Sequence, residues 1–414
     1  MHKARKLPAY SRKAIQIWRE RGATTVLIVG LQKLQKRQQK LTTTTAKKIK
    51  FLFLVKQKDV LMANWSTHPY IPLTSKKKPP YTINWVMSPP RSGGGHQTIY
   101  RIIHYLEQHG HTCRVYLYSS HDYPTVSELR EGMKGSYPNT KASMEWLDGP
   151  MEEADAIFAT GWETAYPVFN DKGKARKFYF VLDFEPGFYP VGTEYILAEN
   201  TYKFNFFGTT GGNWLSNKLS REYGMQCAPF EFGADKELYK FTNSKKRKEI
   251  FFYARPVTAR RGFELGVLAL QIFHEKMPDY KIVMAGWDVS DYAIPFPYEN
   301  LKTMTLGELS DVYNRSAAAL VISLTNLSLM PVELLACGTI PVVTDGPNNR
   351  EVNNNQYIKY ADPSPDALAQ ALVEIVSMKN LPDYAEKAAK SVELLDWDIS
   401  GKQFTEILTE QLNG

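Results

Sequence analysis

Apolar runs alternate with amphipathic ones from residue 82 onward. Stretches at 82–87, 113–118, 155–159 and 178–182 read as strands, and a second series opens at 249 with EIFFYA and continues through YKIVMAGW, AALVIS and TIPVVT. Between them lie segments of helical spacing, such as TIYRIIHYLEQHGH, where Ile99, Ile102, Ile103 and Leu106 form one apolar face, and RGFELGVLALQIFHEKM. Strand and helix in regular alternation predict α/β layers over a parallel sheet. The lysine-rich YKFTNSKKRKE at 239–249 separates the two series and predicts a linker. Two such units imply a cleft between two open sheets, with ligands beyond the carboxyl ends of the strands. The tail LLDWDISGKQFTEILTEQL is an amphipathic helix with no strand after it, so it must pack on a layer already built. Expected boundaries are a basic extension at 1–80, one Rossmann-like domain at 81–240, another at 241–390, and a C-terminal helix at 391–414 that packs back across the domains.

Length and composition fit this picture. At 414 residues two domains are expected, and 43% hydrophobic with 23% charged residues is globular. Cys113, Cys227 and Cys337 are too few and too widely spaced for a disulfide framework or a zinc cluster. No window reaches the ~18 apolar residues of a spanning helix, and ATTVLIVGL lacks a following small-residue cleavage site. The expected location is the cytoplasm, peripheral at the inner face of the plasma membrane. The net charge of +8 would fit a nucleic-acid binder, but fourteen Lys and Arg stand against the single acid Glu20 in the first fifty residues. The basicity belongs to an arm, which suits an anionic membrane surface and argues against nucleic acid as the partner of the fold.

Three loops could carry chemistry. SPPRSGGGHQTIY places Gly93, Gly94 and Gly95 between a strand and a helix, where free amides and the helix dipole favour an anion. The dinucleotide and Walker fingerprints both fail there, since the third glycine would fall at Thr98 and no Gly-Lys-Ser/Thr follows. FFYARPVTARRGFEL sets Arg255 after a strand and Arg261 just before Gly262, so two guanidiniums could grip a pyrophosphate. SLTNLSLMPVELLACGTIPVVTD offers Ser328 as an N-cap, Pro331 in the first helical turn and Glu333 near the helix start, where it could accept hydrogen bonds from sugar hydroxyls. Of His96, His104, His109 and His111, His96 stands nearest the expected cleft.

Taken together, the glycine loop, the paired basic residues before Gly262 and PVELLACGTIPVVTD resemble retaining glycosyltransferases of the GT-B fold, family four. The resemblance runs from about residue 82 to the end and includes FEFGADKELY. The stretch DFEPGFYPVGTEYILAENTY is similar to bacterial rhamnosyltransferases that build surface-layer or cell-wall rhamnans from dTDP-L-rhamnose. The resemblance implies a two-domain GT-B fold, a nucleotide-sugar donor in place of a cofactor, no metal, and an oligosaccharide or lipid-linked glycan acceptor. It implies that Arg255 and Arg261 hold the donor pyrophosphate and that Glu333 contacts the nucleotide sugar, with Leu329 and Met330 beside it and Lys302 toward the base. Where the family carries an acid eight positions before that glutamate, this chain has Thr325. A sugar lacking the C6 hydroxyl is compatible with that exchange.

Transfer needs positive charge at the leaving phosphate, which Arg255, Arg261 and helix-start amides would supply. Asp183 and Glu185 follow a strand and are expected to face the cleft, where a carboxylate could take a proton or stabilise an oxocarbenium ion. A nucleotide-sugar epimerase of the same fold and a non-catalytic nucleotide-sugar-binding protein share these motifs. Both stay open at this point, as does the oligomeric state, for which a dimer is one option.

Overall fold

The computed structural model describes residues 54–73, 76–90, 93–119, 125–134, 137–327 and 329–414. The basic arm at 1–50 and Ser328 lie outside these residues. The fold class is the expected one: α/β, with two Rossmann-like domains, each a parallel sheet layered with helices.

The first domain holds β1 (Thr82–Met87), β2 (Thr112–Leu117), β3 (Ser143–Trp146), β4 (Ala156–Ala159), β5 (Arg176–Val181), β6 (Phe207–Gly211) and β7 (Cys227–Phe230), in the order β3-β2-β1-β4-β5-β6-β7. The second holds β8 (Glu249–Tyr253), β9 (Lys281–Ala285), β10 (Tyr298–Lys302), β11 (Ser316–Val321), β12 (Ile340–Thr344) and β13 (Lys359–Ala361), ordered β10-β9-β8-β11-β12-β13. In each sheet the order reverses beside the first strand, between β1 and β4 and between β8 and β11. Such reversals open the crevice in which doubly wound sheets bind ligands. The glycine loop follows β1 and the arginine loop follows β8, so both stand at these points.

Strand cores follow burial. Trp85, Phe158, Phe178 and Phe180 are fully buried, with Trp85 stacked on Phe158 at 4.6 Å and Phe158 on Phe178 at 4.7 Å. The C-terminal helix Trp397–Asn413 leaves the second domain and inserts Phe404, Leu408 and Leu412 into this core. A Cβ at Gly401 would stand 2.2 Å from the Tyr105 ring, so glycine is what lets this helix lie close against Gly94–Gln108.

One boundary differs from expectation. Residues 54–73, assigned to the extension at 1–80, pack on the first domain: Val55 and Ala63 join its core, and buried Asp59 accepts from the Tyr118 hydroxyl at 2.7 Å. The linker segment at 239–249 is anchored on the second domain. Arg247 is buried and donates to the carbonyls of Asn243 and Ser316, and burial lowers its guanidinium to about 10. A lysine-rich run hides one cation whose donors match the carbonyls of Asn243, Tyr313 and Ser316, which composition alone does not reveal.

Candidate functional site

The loops at the carboxyl ends of both sheets meet across one cleft. Asn326, after β11, donates through Nδ2 to the carbonyls of Leu182 at 2.9 Å and Gly211 at 3.1 Å, so the loop beyond β11 is stitched to the ends of β5 and β6.

On the second-domain side, a short 3-10 turn, Ala259–Arg261, ends at Gly262 with φ +51°. A Cβ there would stand 2.7 Å from Ile322 Cγ2, so both conformation and space demand glycine. This turn starts the helix Phe263–Lys276 and fixes Arg261, which donates to Ser323 Oγ at 3.0 Å. Ser323 Oγ in turn donates to the Asn326 carbonyl at 2.7 Å, bracing the two loops. Burial lowers the Arg261 guanidinium, Asp183 opposes that shift, and Arg255 is close enough to add to it. Arg255 lies over the rings of Tyr253 and Trp287, each centroid 5.9 Å away, with one long contact of 3.5 Å to the Gly286 carbonyl. Among the described residues neither arginine forms an ion pair. The structure thus brings together the two guanidiniums singled out in the sequence and leaves both without a carboxylate partner.

On the first-domain side, Gly93 is extended at φ −157°, and none of the three glycines has positive φ. Backbone conformation therefore does not demand glycine here, and what their lack of side chains gives is room in the cleft. A Cβ on Gly94 would stand 3.8 Å from Leu329 Cδ1, across the cleft, and one on Gly95 3.8 Å from Leu182 Cδ1. A methyl fits at contact distance; a branched side chain fills the gap. Gly94→Val is accordingly expected to lower transfer more than nucleotide affinity, and Gly94→Ala to behave nearly as the parent. Parallel measurement of turnover and nucleotide Kd checks this, and an equal loss in both contradicts it.

Asp183 faces the cleft as expected, but it is engaged there. It accepts from the Asn326 amide at 2.9 Å and the Phe184 amide at 2.8 Å, and it pairs with Arg260 Nε at 3.3 Å. Arg260 also lies 3.9 Å over the Phe188 ring. Glu185 departs from expectation, because it is buried in a tight turn and not open to the cleft, its carboxyl accepting from the Trp162 amide at 2.5 Å. Burial, reinforced by the charge of Glu163, pushes its pKa well above the carboxylate range and so favours the protonated form. The periodicity after β5 could not show this, since the turn Glu185–Phe188 reverses the side-chain direction.

The remaining residues are distributed as follows. Glu333 is crowded under Tyr239, whose phenol hydrogen-bonds it; burial raises its pKa to about 7 against the opposing charge of Arg101. Arg101, on the helix after the glycine loop, donates to Asp235 at 3.2 Å and lies over Trp397. Leu329 and Met330 are buried at the start of the helix Met330–Ala336. Thr325 is 6% exposed, its Oγ1 has no hydrogen-bond partner among the described residues, and its methyl abuts Gly187 of the first domain. Lys302, at φ +57°, pairs with Asp288 at 3.1 Å; hydrogen bonds from Ser290, Lys302 and Asn300 hold that carboxyl far below its usual range. The Lys302 carbonyl accepts from the Gly286 amide at 2.7 Å, so Lys302 borders the Arg255 loop. His96 hydrogen-bonds the Ser88 carbonyl at 3.2 Å, at the end of β1. His104 and His109 bond carbonyls of Asn139 and Tyr105, and His111 is buried against Tyr81, its pKa lowered by burial.

Four residues of the cleft escaped the sequence reading: Arg260, Asn326, Arg101 and Glu163. Glu163 opens the helix Trp162–Asn170 after β4, hydrogen-bonded to Ser88, with its pKa raised by burial. A signal existed for it, since TGWE directly follows the strand beside the first sheet's reversal. Arg260 adjoins Arg261 and could have been found by asking which of two neighbouring arginines points to the other domain; nothing in the sequence marks Arg101.

The fold is GT-B, and comparisons with known proteins place it among glycosyltransferase structures. Anabaena HepE in complex with UDP-glucose is 13% identical with a TM-score of 0.64, covering 80% of this chain and 100% of that one. A glycosyltransferase from Rickettsia africae is 16% identical with a TM-score of 0.58, covering 81% and 100%. At the level of families, residues 248–373 match the model described as WsaF, C-terminal domain, and residues 147–206 match WsaF, N-terminal domain. The O-antigen biosynthesis protein RfbC of Myxococcus xanthus is 29% identical over 320 residues, which is 73% of this chain and 25% of RfbC. The chain thus spans about a quarter of the length of that relative.

Proposed function

We propose that this chain is a glycosyltransferase of polysaccharide biosynthesis that moves L-rhamnose from dTDP-L-rhamnose onto a surface glycan with retention of configuration. The observation that carries the reading is the pair Arg255 and Arg261, two guanidiniums without ion-pair partners among the described residues, at the reversal point of the second sheet, opposite the glycine loop. Such a pair suits the α- and β-phosphates of a nucleoside diphosphate. The match to WsaF domains and the similarity to RfbC favour a surface polysaccharide as the product. HepE, of the same fold, holds UDP-glucose.

In this reading the sugar–phosphate bond breaks as negative charge gathers on the β-phosphate, and Arg255 and Arg261 stabilise that charge without a metal ion. The departing phosphate assists removal of the acceptor proton. Asp183, clamped by Arg260 and two amides, is oriented toward the developing oxocarbenium ion, while Glu333 and Lys302 hold the nucleoside. Thr325 stands where a C6 hydroxyl would need a stronger acceptor, which suits a 6-deoxy sugar. The glycan or lipid-linked acceptor enters from the first domain, and the arm at 1–50 is the part suited to an anionic membrane.

The expected result is tighter binding of dTDP-L-rhamnose than of uridine or guanosine diphosphate sugars, with a product of unchanged anomeric configuration by NMR and no loss of rate in chelator. Preference for another base removes the rhamnose assignment and leaves the glycosyltransferase one. Release of a free isomerised sugar would instead mark an epimerase.

A further inference from the structure

Beside the arginine cleft, the domains enclose a second crevice of about 910 Å³. Asn213 and Asn217 line it from the first domain, and Asn353, Asn354 and Asn355 from the second. Phe232, Val332 and Leu395 give it apolar surface. Its volume falls within the range of about 300–1,000 Å³ common for ligand sites.

The crevice is held by specific contacts between the domains. Gly212 has φ +87°, and a Cβ there would stand 3.1 Å from Val352 Cγ1 and 3.3 Å from Val352 Cα, so only glycine permits the two segments to approach this closely. Asn217 Nδ2 donates to Glu351 across the gap at 2.9 Å. Asn213 and Asn354 are exposed, and among the described residues their carboxamides have no hydrogen-bond partner.

The lining chemistry selects the ligand class. A carboxamide donates and accepts at once, as a sugar hydroxyl does, so neighbouring asparagines suit vicinal hydroxyls, while an aromatic or aliphatic surface suits the C–H face of a pyranose. Phosphate is disfavoured: the charged residues are Glu231, Glu351 and Arg350, and Arg350 is already held by both oxygens of Asp345 at 2.5 and 2.7 Å. Net negative charge with no spare cation repels nucleotides and lipid phosphates alike. Val332 precedes Glu333 on the same short helix, so an occupant here lies near the proposed donor site.

We propose that this crevice is a saccharide subsite that holds an uncharged segment of the acceptor glycan beyond the sugar that reacts. Its role in transfer rests on the glycosyltransferase reading; its capacity to bind a saccharide does not. The test is calorimetric titration of the full chain with neutral trisaccharides of L-rhamnose, D-mannose and N-acetylglucosamine, with dTDP and inorganic phosphate alongside. At least one trisaccharide should bind, and N213A/N354A, both at exposed positions, should raise its Kd tenfold or more with the dTDP Kd changed less than twofold and the melting temperature preserved. The proposal is overturned if none of the three binds, if the double variant binds them as the parent does, or if phosphate displaces them. Trisaccharide binding that is lost in the double variant, in a chain that binds no nucleotide or nucleotide sugar, upholds the subsite and removes the glycosyltransferase reading.

Discussion

Arg255→Ala is expected to lower turnover about a hundredfold or more while the fold stays intact. One preorganised donor aimed at charge developing in a transition state is worth ~2.7–4 kcal/mol, which corresponds to this loss. The prediction of an unchanged fold comes from the contacts of Arg255, a single 3.5 Å approach to the Gly286 carbonyl and two distant aromatic rings. Removing it strands no buried charge. Arg261 is different, because its guanidinium holds Ser323 Oγ, which holds the Asn326 carbonyl, and Asn326 reaches the first domain. Arg261→Ala should therefore lower both turnover and thermal stability. Steady-state rates with matched melting curves separate the two cases, and near-normal turnover in the Arg255 variant would sink the phosphate-binding role.

Donor affinity should weaken about tenfold for each pH unit below 7, through Glu333. Its carboxyl is pushed up to about 7, chiefly by burial, and in the proposed role the ionised form is the stronger acceptor for the nucleotide's hydroxyls. Protonation at lower pH removes that acceptor. Stability should move the opposite way. With the folded pKa above the usual 4.5, the folded chain binds the extra proton, so this residue's contribution is greatest below pH 4.5 and is lost as pH rises toward 7. Glu333→Gln should flatten both dependences. Titrations of nucleotide affinity and of melting temperature from pH 5.5 to 8.5 test this, and a donor affinity independent of pH in the parent would contradict it.

Much of this architecture is written in the hydrophobic pattern, and the exceptions share a cause. The central strands β1, β2, β4, β5, β8, β9, β11 and β12 are apolar because helices cover both faces. The strands not foreseen include all four sheet edges, β3, β7, β10 and β13, where partial exposure permits sequences such as SMEW, YENLK and KYA. β6, FGTTG, is central but polar, its buried Thr209 hydroxyl bonding the Tyr179 carbonyl at 3.5 Å and that of Thr210 the Gly212 carbonyl at 3.1 Å. At the site, Arg255, Arg261 and Glu333 were legible because each follows a strand or opens a helix. Glu185 was misplaced because a two-residue step beyond Asp183 crosses into a turn, and alternation along a strand ceases to apply. Arg101 pairs with residues more than a hundred positions away and Asn326 reaches the other domain, and no local pattern records such partners.

The return of the last helix also sets an order of events during synthesis. Phe404, Leu408 and Leu412 complete the core of a domain whose own strands ended with β7, so the first domain of a growing chain cannot close until residues 397–413 have been made and have emerged. The two chain crossings lie side by side, Ala234 donating to the Leu395 carbonyl at 3.0 Å and Lys236 pairing with Asp396 at 2.8 Å. The second domain, whose strands are consecutive, can fold while the first waits. A chain ending at residue 396 should accordingly bury its second core normally and leave the first open to protease, a difference that pulse proteolysis of ribosome-released fragments would register.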